Sequence, residues 1–288
     1  MVAFLGINYQ HDLGPAVLAH WGLIEPEQLY GGAWWGLFTD AFVHEELIHL
    51  MFNLYWLWIL GAAFERTFGS LRFLLFVLVS AFVTSGLQEF DGFGFGLSGV
   101  GYALFGFGWV GRTRYPAFAR YMGQQTVMMF VVWFFLCVAL TYAHRWMIGN
   151  VAHLTGALFG AALAGLMIVP QYRAALSLAL VAMMCGSVAV LFWNPWSGFW
   201  LANQADKARD HGQIGKAAQY YMGTLNTGDI NPEWTWASLA EMYADHKMPQ
   251  YRDAYDHLKA IDPGAARQIA DYYGDPDPPD SPSGKGVE

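Results

Sequence analysis

Charge is what this sequence has least of. Only 13% of its 288 residues are Asp, Glu, Lys or Arg, against about 25% in soluble domains. No lysine occurs before Lys207. This scarcity excludes an ordinary water-soluble globule for most of the chain. Cysteine is almost missing as well. Cys137 and Cys185 both fall inside long apolar runs, so neither a structural disulfide nor a reactive thiol is expected. Basic patches are absent: from residue 203 onward there are 14 Asp/Glu against 8 Lys/Arg, which argues against nucleic acid as a partner. The opening MVAFLGI lacks a basic n-region and a cleavage site, so it does not read as a signal peptide. It is also too short to cross a bilayer. We expect that the protein starts there or that an upstream half-helix precedes it.

What is abundant is apolar sequence of membrane length. Six runs, 49–64, 71–87, 96–111, 126–143, 151–169 and 175–193, are each 16 to 19 residues long, close to the ~20 residues a helical span requires. The third is short and glycine-rich, so it is expected to sit among the others. The predicted fold is an all-α polytopic membrane protein. It has six complete spans plus a partial N-terminal helix, followed by a small α-helical soluble domain. Expected boundaries are 1–198 for the membrane domain, 199–273 for the helical domain and 274–288 for a disordered tail.

Orientation follows from the arginines. Arg66, Arg72, Arg112, Arg114, Arg120 and Arg173 lie in one alternating set of loops and only Arg145 in the other. The positive-inside rule puts the six-arginine set in the cytoplasm. Loop 9–46 then faces out, and the first, third and fifth spans begin at the outer face. Their first turns carry His49 and Asn53, Ser98, and Asn150 and His153. Polar residues in spans are costly and usually face a bundle interior or cavity, so five at matching depth suggest a site.

The stretch HEELIHLMFN at 44–53 invites a zinc reading through His44, Glu45 and His49. A zinc helix of the H-E-x-x-H type needs its histidines at i and i+4, about 40° apart on the helix; these are at i and i+5, about 140° apart. The metal reading therefore fails, and His44, Glu45 and Glu46 are expected to form a solvated loop. His49 and Asn53 are at i and i+4 and share a face. Both are donors, suited to an oxyanion hole.

In GLSGVGYALFG (96–106), Gly96, Leu97, Ser98 and Gly99 place a serine at a helix N-terminus, where free N–H groups favour an oxyanion. The α/β-hydrolase elbow is excluded, because it needs Gly two residues after Ser and a preceding strand. A bland alternative is an N-cap serine with packing glycines. In AHLTGALFG (152–160), His153 precedes Gly156 and Gly160, a small-xxx-small face for close helix approach. His153 beside Ser98 would be a Ser–His dyad, since no acidic residue suits a third position. Tyr102, one turn after Ser98, is placed to pack on the imidazole.

GLSGVGYALFG, HLMFN and AHLTGALFG, in the order found along this chain, resemble the rhomboid intramembrane serine proteases. GAAFERTFGS (61–70) also resembles the family's segment after H-x-x-x-N. The resemblance covers roughly 34–170. It implies Ser98 as nucleophile, His153 as base, His49 and Asn53 at the oxyanion, Tyr102 packed on His153, and Asn150 near the site. It matches Phe52 and Trp133 to positions between the gating helix and the core. No metal or cofactor is implied. The implied partners are single-span transmembrane substrates and the lipid bilayer. The implied location is a bacterial plasma membrane, with the site opening to the extracytoplasmic side. One departure stands out: the family's first external loop carries Trp-Arg, whereas Trp35 is followed here by Gly36, which puts that loop's usual hydrogen bonds in question. The alternative within the family is a non-catalytic protein that binds membrane proteins.

Residues 203–263 resemble one or two degenerate tetratricopeptide units, with small residues at Ala217 and Ala218 and aromatics at Tyr220, Tyr221 and Tyr243. The repeat period is about 34 residues. A generic helical hairpin fits equally well, and a protein partner for this part is expected.

Overall fold

Long runs of Leu, Phe, Val and Ala without internal proline form helices at every predicted span. The computed structural model describes residues 3–4, 15–44, 47–92, 94–146 and 148–274. The tail expected to be disordered lies outside the described residues, apart from Gly274. The chain divides into two compact units, Met1–Asn194 and Pro195–Glu288.

In the first unit, short helices α1 (Pro15–His20), α2 (Pro26–Tyr30) and α3 (Gly36–Thr39) build the segment before the first span. Strand β1 (Ala3–Phe4) pairs in parallel with β2 (Val43–His44). The first span joins α4 (Leu47–Trp56), a π-helical turn at Leu57–Gly61 and α5 (Ala62–Phe68). Then follow α6 (Ser70–Gln88), α7 (Ser98–Gly111), the short α8 (Pro116–Ala119), α9 (Gln124–Tyr142), α10 (Asn150–Ile168) and α11 (Arg173–Phe192). Among the described residues five helical segments are long and apolar enough to cross a membrane. The third apolar run is not among them, because its helix, α7, has only 14 residues. It is instead buried along nearly its whole length.

Aromatic residues fill the core around α7. Phe64, Phe76, Phe107, Phe118 and Phe159 meet there, with Phe64 and Phe107 ring centroids 4.9 Å apart. The closest helix pair is α7 and α10. A Cβ on Gly156 would run into the Gly99 carbonyl, and one on Gly160 into the Ala103 carbonyl. The absence of side chains at 156 and 160 is therefore what allows the backbones to approach.

The segment before the first span is held by its own apolar cluster of Ile24, Leu29 and Leu37, against which Phe82 of α6 and Leu191 of α11 pack. Gly36 belongs to this packing, since a Cβ there would lie 2.7 Å from Ile24 Cβ. The Asp40 carboxyl accepts from the Ile24 N–H at 2.8 Å, and the Asp40 carbonyl accepts from Gly96 N–H at 2.9 Å. The loop thus has fixed contacts without an arginine at position 36.

The second unit is all helical: α12 (Gly198–Asp210), α13 (Ile214–Thr224), α14 (Pro232–Asp245), α15 (Tyr251–Ile261) and α16 (Pro263–Tyr273). Helices α12 and α13 pack together, as do α14 and α15, and α16 packs on α14 and α15. Buried Ala205, Ala217, Tyr221, Leu239, Tyr255 and Leu258 form its core. Asp262 caps α16 by accepting from Gly264 and Ala265 N–H.

Candidate active site

Ser98 is the first residue of α7, and His153 lies in the first turn of α10. The tight α7–α10 contact brings the two together: His153 Nε2 lies 2.8 Å from Ser98 Oγ. The His153 ring is almost fully buried and stacks on Tyr102, with centroids 4.5 Å apart and planes 23° from parallel. Tyr102 is held in turn by donating its hydroxyl to the Phe130 carbonyl of α9 at 3.2 Å. His153 Nδ1 is buried with no hydrogen-bond partner among the described residues. Among the described residues no carboxylate is hydrogen-bonded to this imidazole; the stacked tyrosine and the helix hold it.

The loop into Ser98 is shaped by Gly96. Its φ is +102°, a conformation that side chains disfavour, and a Cβ there would lie 2.9 Å from His49 Cε1. His49 therefore packs directly against the backbone two residues before Ser98. Asn53, one helical turn after His49 on α4, is buried.

His44 corrects the sequence-based expectation of a solvated loop. It is fully buried, with its Nε2 3.0 Å from Asn53 Nδ2 and 3.3 Å from the Leu97 N–H. The backbone donor fixes the chemistry: Nε2 must be the acceptor, so Asn53 presents its amide nitrogen to it. Burial, and then the neighbouring His49, push the His44 pKa down to about 4, which keeps the imidazole neutral. The loop was expected to be wet because Glu45 and Glu46 follow; those two lie outside the described residues. His44 and His49 rings sit 5.0 Å apart. With its Nε2 lone pair committed to Leu97 and Asn53, His44 serves as an internal acceptor. Among the described residues no cluster of three or more His, Cys, Asp or Glu could hold a metal.

The other predicted residues fall into four groups. Leu97 contributes its N–H to His44 rather than to the open side of the site. Gly156 and Gly160 line the α7–α10 contact, whereas a Cβ on Gly99 would run into Thr84 of α6. Asn150 does not meet the dyad; it donates to Thr141 Oγ1 at 2.8 Å and so ties α10 to α9. Phe52 and Trp133 do meet, with centroids 5.3 Å apart, where α4 faces α9.

Two polar groups that sequence reasoning passed over, Glu89 and Asn194, meet at the end of α6. Glu89 is buried and its carboxyl is hydrogen-bonded with the Tyr30 hydroxyl. Asn194 donates to that hydroxyl at 2.9 Å and to the Glu89 carbonyl at 2.9 Å. Burial pushes both Asp40 and Glu89 up to about 8.

Comparison with known proteins bears on the family of the first unit. A rhomboid domain family model matches residues 31–170. The protein named Rhomboid protease GlpG from Enterobacter sp. (strain 638) is 36% identical over 132 residues, covering 45% of this chain and 47% of that one. Proteins of the same name from two Klebsiella pneumoniae strains match equally, at 36% over 132 residues. The chain spans about half the length of the curated relatives it matches.

Proposed function

Residues 31–170 make this chain a member of the rhomboid family and a multi-pass integral membrane protein, and on that premise we propose that it is a serine endopeptidase that cuts transmembrane substrates. The observation that carries the proposal is the 2.8 Å approach of His153 Nε2 to Ser98 Oγ, on helices too tightly packed to drift apart. Serine is a poor nucleophile until a base takes its proton.

In the proposed reaction, His153 Nε2 accepts the Ser98 proton as Oγ bonds to the scissile carbonyl carbon. The carbonyl oxygen becomes an oxyanion. Asn53 has two amide hydrogens, one directed at His44; the other is left to face the oxyanion. His49 and the free N–H groups of the first turn of α7 supply the remaining donors. Collapse breaks the C–N bond, and His153 returns the proton to the leaving amine. Water then repeats the sequence on the acyl-enzyme. The Phe52–Trp133 contact between α4 and α9 is a candidate gate for substrate entry from the bilayer.

The site is proposed to open to the extracytoplasmic side of a bacterial plasma membrane, an orientation that the arginine distribution supports, and helix-breaking residues near the cut should favour cleavage by exposing the peptide bond. The second unit is proposed to be a tetratricopeptide-like partner-binding element. What supports this is that α14 starts 34 residues after α12, at Pro232 and Gly198. Cleavage of a model single-span substrate in proteoliposomes by wild type and Ser98→Ala tests the proposal. Cleavage by wild type alone, with phosphonate labelling that requires Ser98, is expected. Equal cleavage by both would sink it.

A further inference from the structure

The proposed dyad requires two separate chain segments to arrive in register. One is the loop 89–97 leading to Ser98, and the other is the turn leading to α10 and His153. A single buried side chain joins them. Gln88, the last residue of α6, is 3% exposed. Its Oε1 accepts from the Ala152 N–H at 2.9 Å, one residue before His153. Its Nε2 donates to the Gly92 carbonyl at 3.2 Å, within the loop to Ser98. Each partner fixes the amide orientation, since one is an N–H donor and the other a carbonyl acceptor.

The surroundings are shaped to this side chain. A Cβ on Gly94 would lie 2.9 Å from Gln88 Cγ, and one on Gly149 would lie 3.0 Å from Gln88 Oε1. Gly149 is also the residue before α10, and it offers no side chain to cap the helix. The first N–H groups of a helix have no intrahelical partner, and Asn150 spends its amide on Thr141. Gln88 supplies the missing cap from 64 residues away in sequence.

We infer that Gln88 is a positioning residue for the reaction: its amide bridges the nucleophile loop and the base-bearing helix, and so sets the Ser98–His153 alignment. This rests on the reading of Ser98 and His153 as the dyad. The chemistry demands a neutral amide of this length. Glutamate keeps the acceptor for Ala152 but loses the donor to Gly92, leucine loses both, and asparagine is one methylene short. Because Gln88 touches no reacting group, its loss should act on turnover rather than on substrate binding.

The test uses the full chain in proteoliposomes, with wild type, Gln88→Glu, Gln88→Leu and Ser98→Ala. Two quantities are read per folded molecule, the folded fraction being taken from thermal unfolding. One is the rate of covalent labelling by a fluorophosphonate, which reports Ser98 nucleophilicity without a protein substrate. The other is kcat and KM on a model transmembrane substrate. Gln88→Leu is expected to slow labelling and kcat tenfold or more with KM within twofold of wild type, and Gln88→Glu to fall between. Should Gln88→Leu fail to fold, a slowing of labelling in Gln88→Glu of threefold or more supports the inference. Labelling and kcat at wild-type rates per folded molecule, in whichever variants fold, would overturn it. If Ser98→Ala is labelled or cleaves like wild type, the dyad itself has failed, a result that cannot be mistaken for the loss of positioning alone.

Discussion

Replacing His44 by leucine should damage both stability and catalysis, and the structure sets the scale of each. The imidazole Nε2 takes hydrogen bonds from two donors, Leu97 N–H and Asn53 Nδ2. Leucine removes the acceptor and strands both in a region closed to water. A buried donor left unsatisfied costs about 1–3 kcal/mol. The change strands two donors but also removes the buried His44 Nδ1–H, which has no hydrogen-bond partner among the described residues, so the net loss should be about 1–3 kcal/mol before any repacking is counted. Asn53 also loses its anchor. If it turns away from the oxyanion position, kcat should fall by about 10²–10³, the range measured when one such donor is removed. His44→Gln is the informative partner, because a glutamine carbonyl can stand near the place of Nε2. It should recover part of both losses. The assays are chemical unfolding in detergent and cleavage of a model transmembrane substrate. A His44→Leu protein as stable and as active as wild type would refute the argument. So would one that loses stability while its kcat per folded molecule is unchanged, since Asn53 would then not depend on His44.

Three further outcomes follow from other contacts. The carboxyls of Asp40 and Glu89 are held above the usual carboxylate range, mainly by burial. The folded protein therefore keeps protons that the unfolded chain has released above about pH 4, and stability should fall as pH rises from ~4 through ~8. Asp40→Asn and Glu89→Gln should each flatten this slope; a wild-type thermal midpoint that is level from pH 5 to 8 would contradict it. Gly160→Val drives side-chain atoms into the Ala103 carbonyl, so α7 and α10 must separate; since a displacement of about 1 Å can cost ~10²-fold in rate, phosphonate labelling of Ser98 should slow at least tenfold. Tyr102→Ala removes the ring stacked on His153, an interaction of about 0.5–1.5 kcal/mol, and kcat should fall several-fold with KM little changed; a wild-type kcat would show that the helix alone orients the imidazole.

The membrane helices were legible because a bilayer imposes one simple requirement, an apolar run of sufficient length, and the sequence meets it repeatedly. Where reading and structure part, a local conformational cause is visible. The first run, read as 49–64, continues in the helix to Phe68, because Glu65 and Arg66 end the apolar pattern without ending the backbone hydrogen bonding. The third run, read from Gly96, becomes helical only at Ser98, because the positive φ of Gly96 belongs to a turn. The short helices α1 to α3 went unread. Helices of four to six residues span barely more than one turn, so no period can announce them.

The site divides along the same line between local and non-local information. His49 and Asn53 were singled out because i, i+4 spacing is a local geometric fact, and Gly156 and Gly160 because small residues one turn apart advertise a close neighbour. Ser98 and His153 were singled out because each opens a span that the arginine pattern assigns to the same side. His44 and Gln88 carry no such mark. His44 stands beside two glutamates, the ordinary surroundings of a wet loop, and only the return of the chain at Leu97, 53 residues later, makes it an interior acceptor. Gln88 ends a helix, the usual place for an exposed polar residue, and its partners are Gly92 nearby and Ala152 far along the chain. Both side chains satisfy backbone groups of glycine-bearing turns that have no side chains of their own to do so. In a bundle whose proposed reactive groups enter on separate helices, this division has a physical cause. The glycines that let the helices and loops come close give up local caps, and the polar residues that replace those caps must come from elsewhere in the chain.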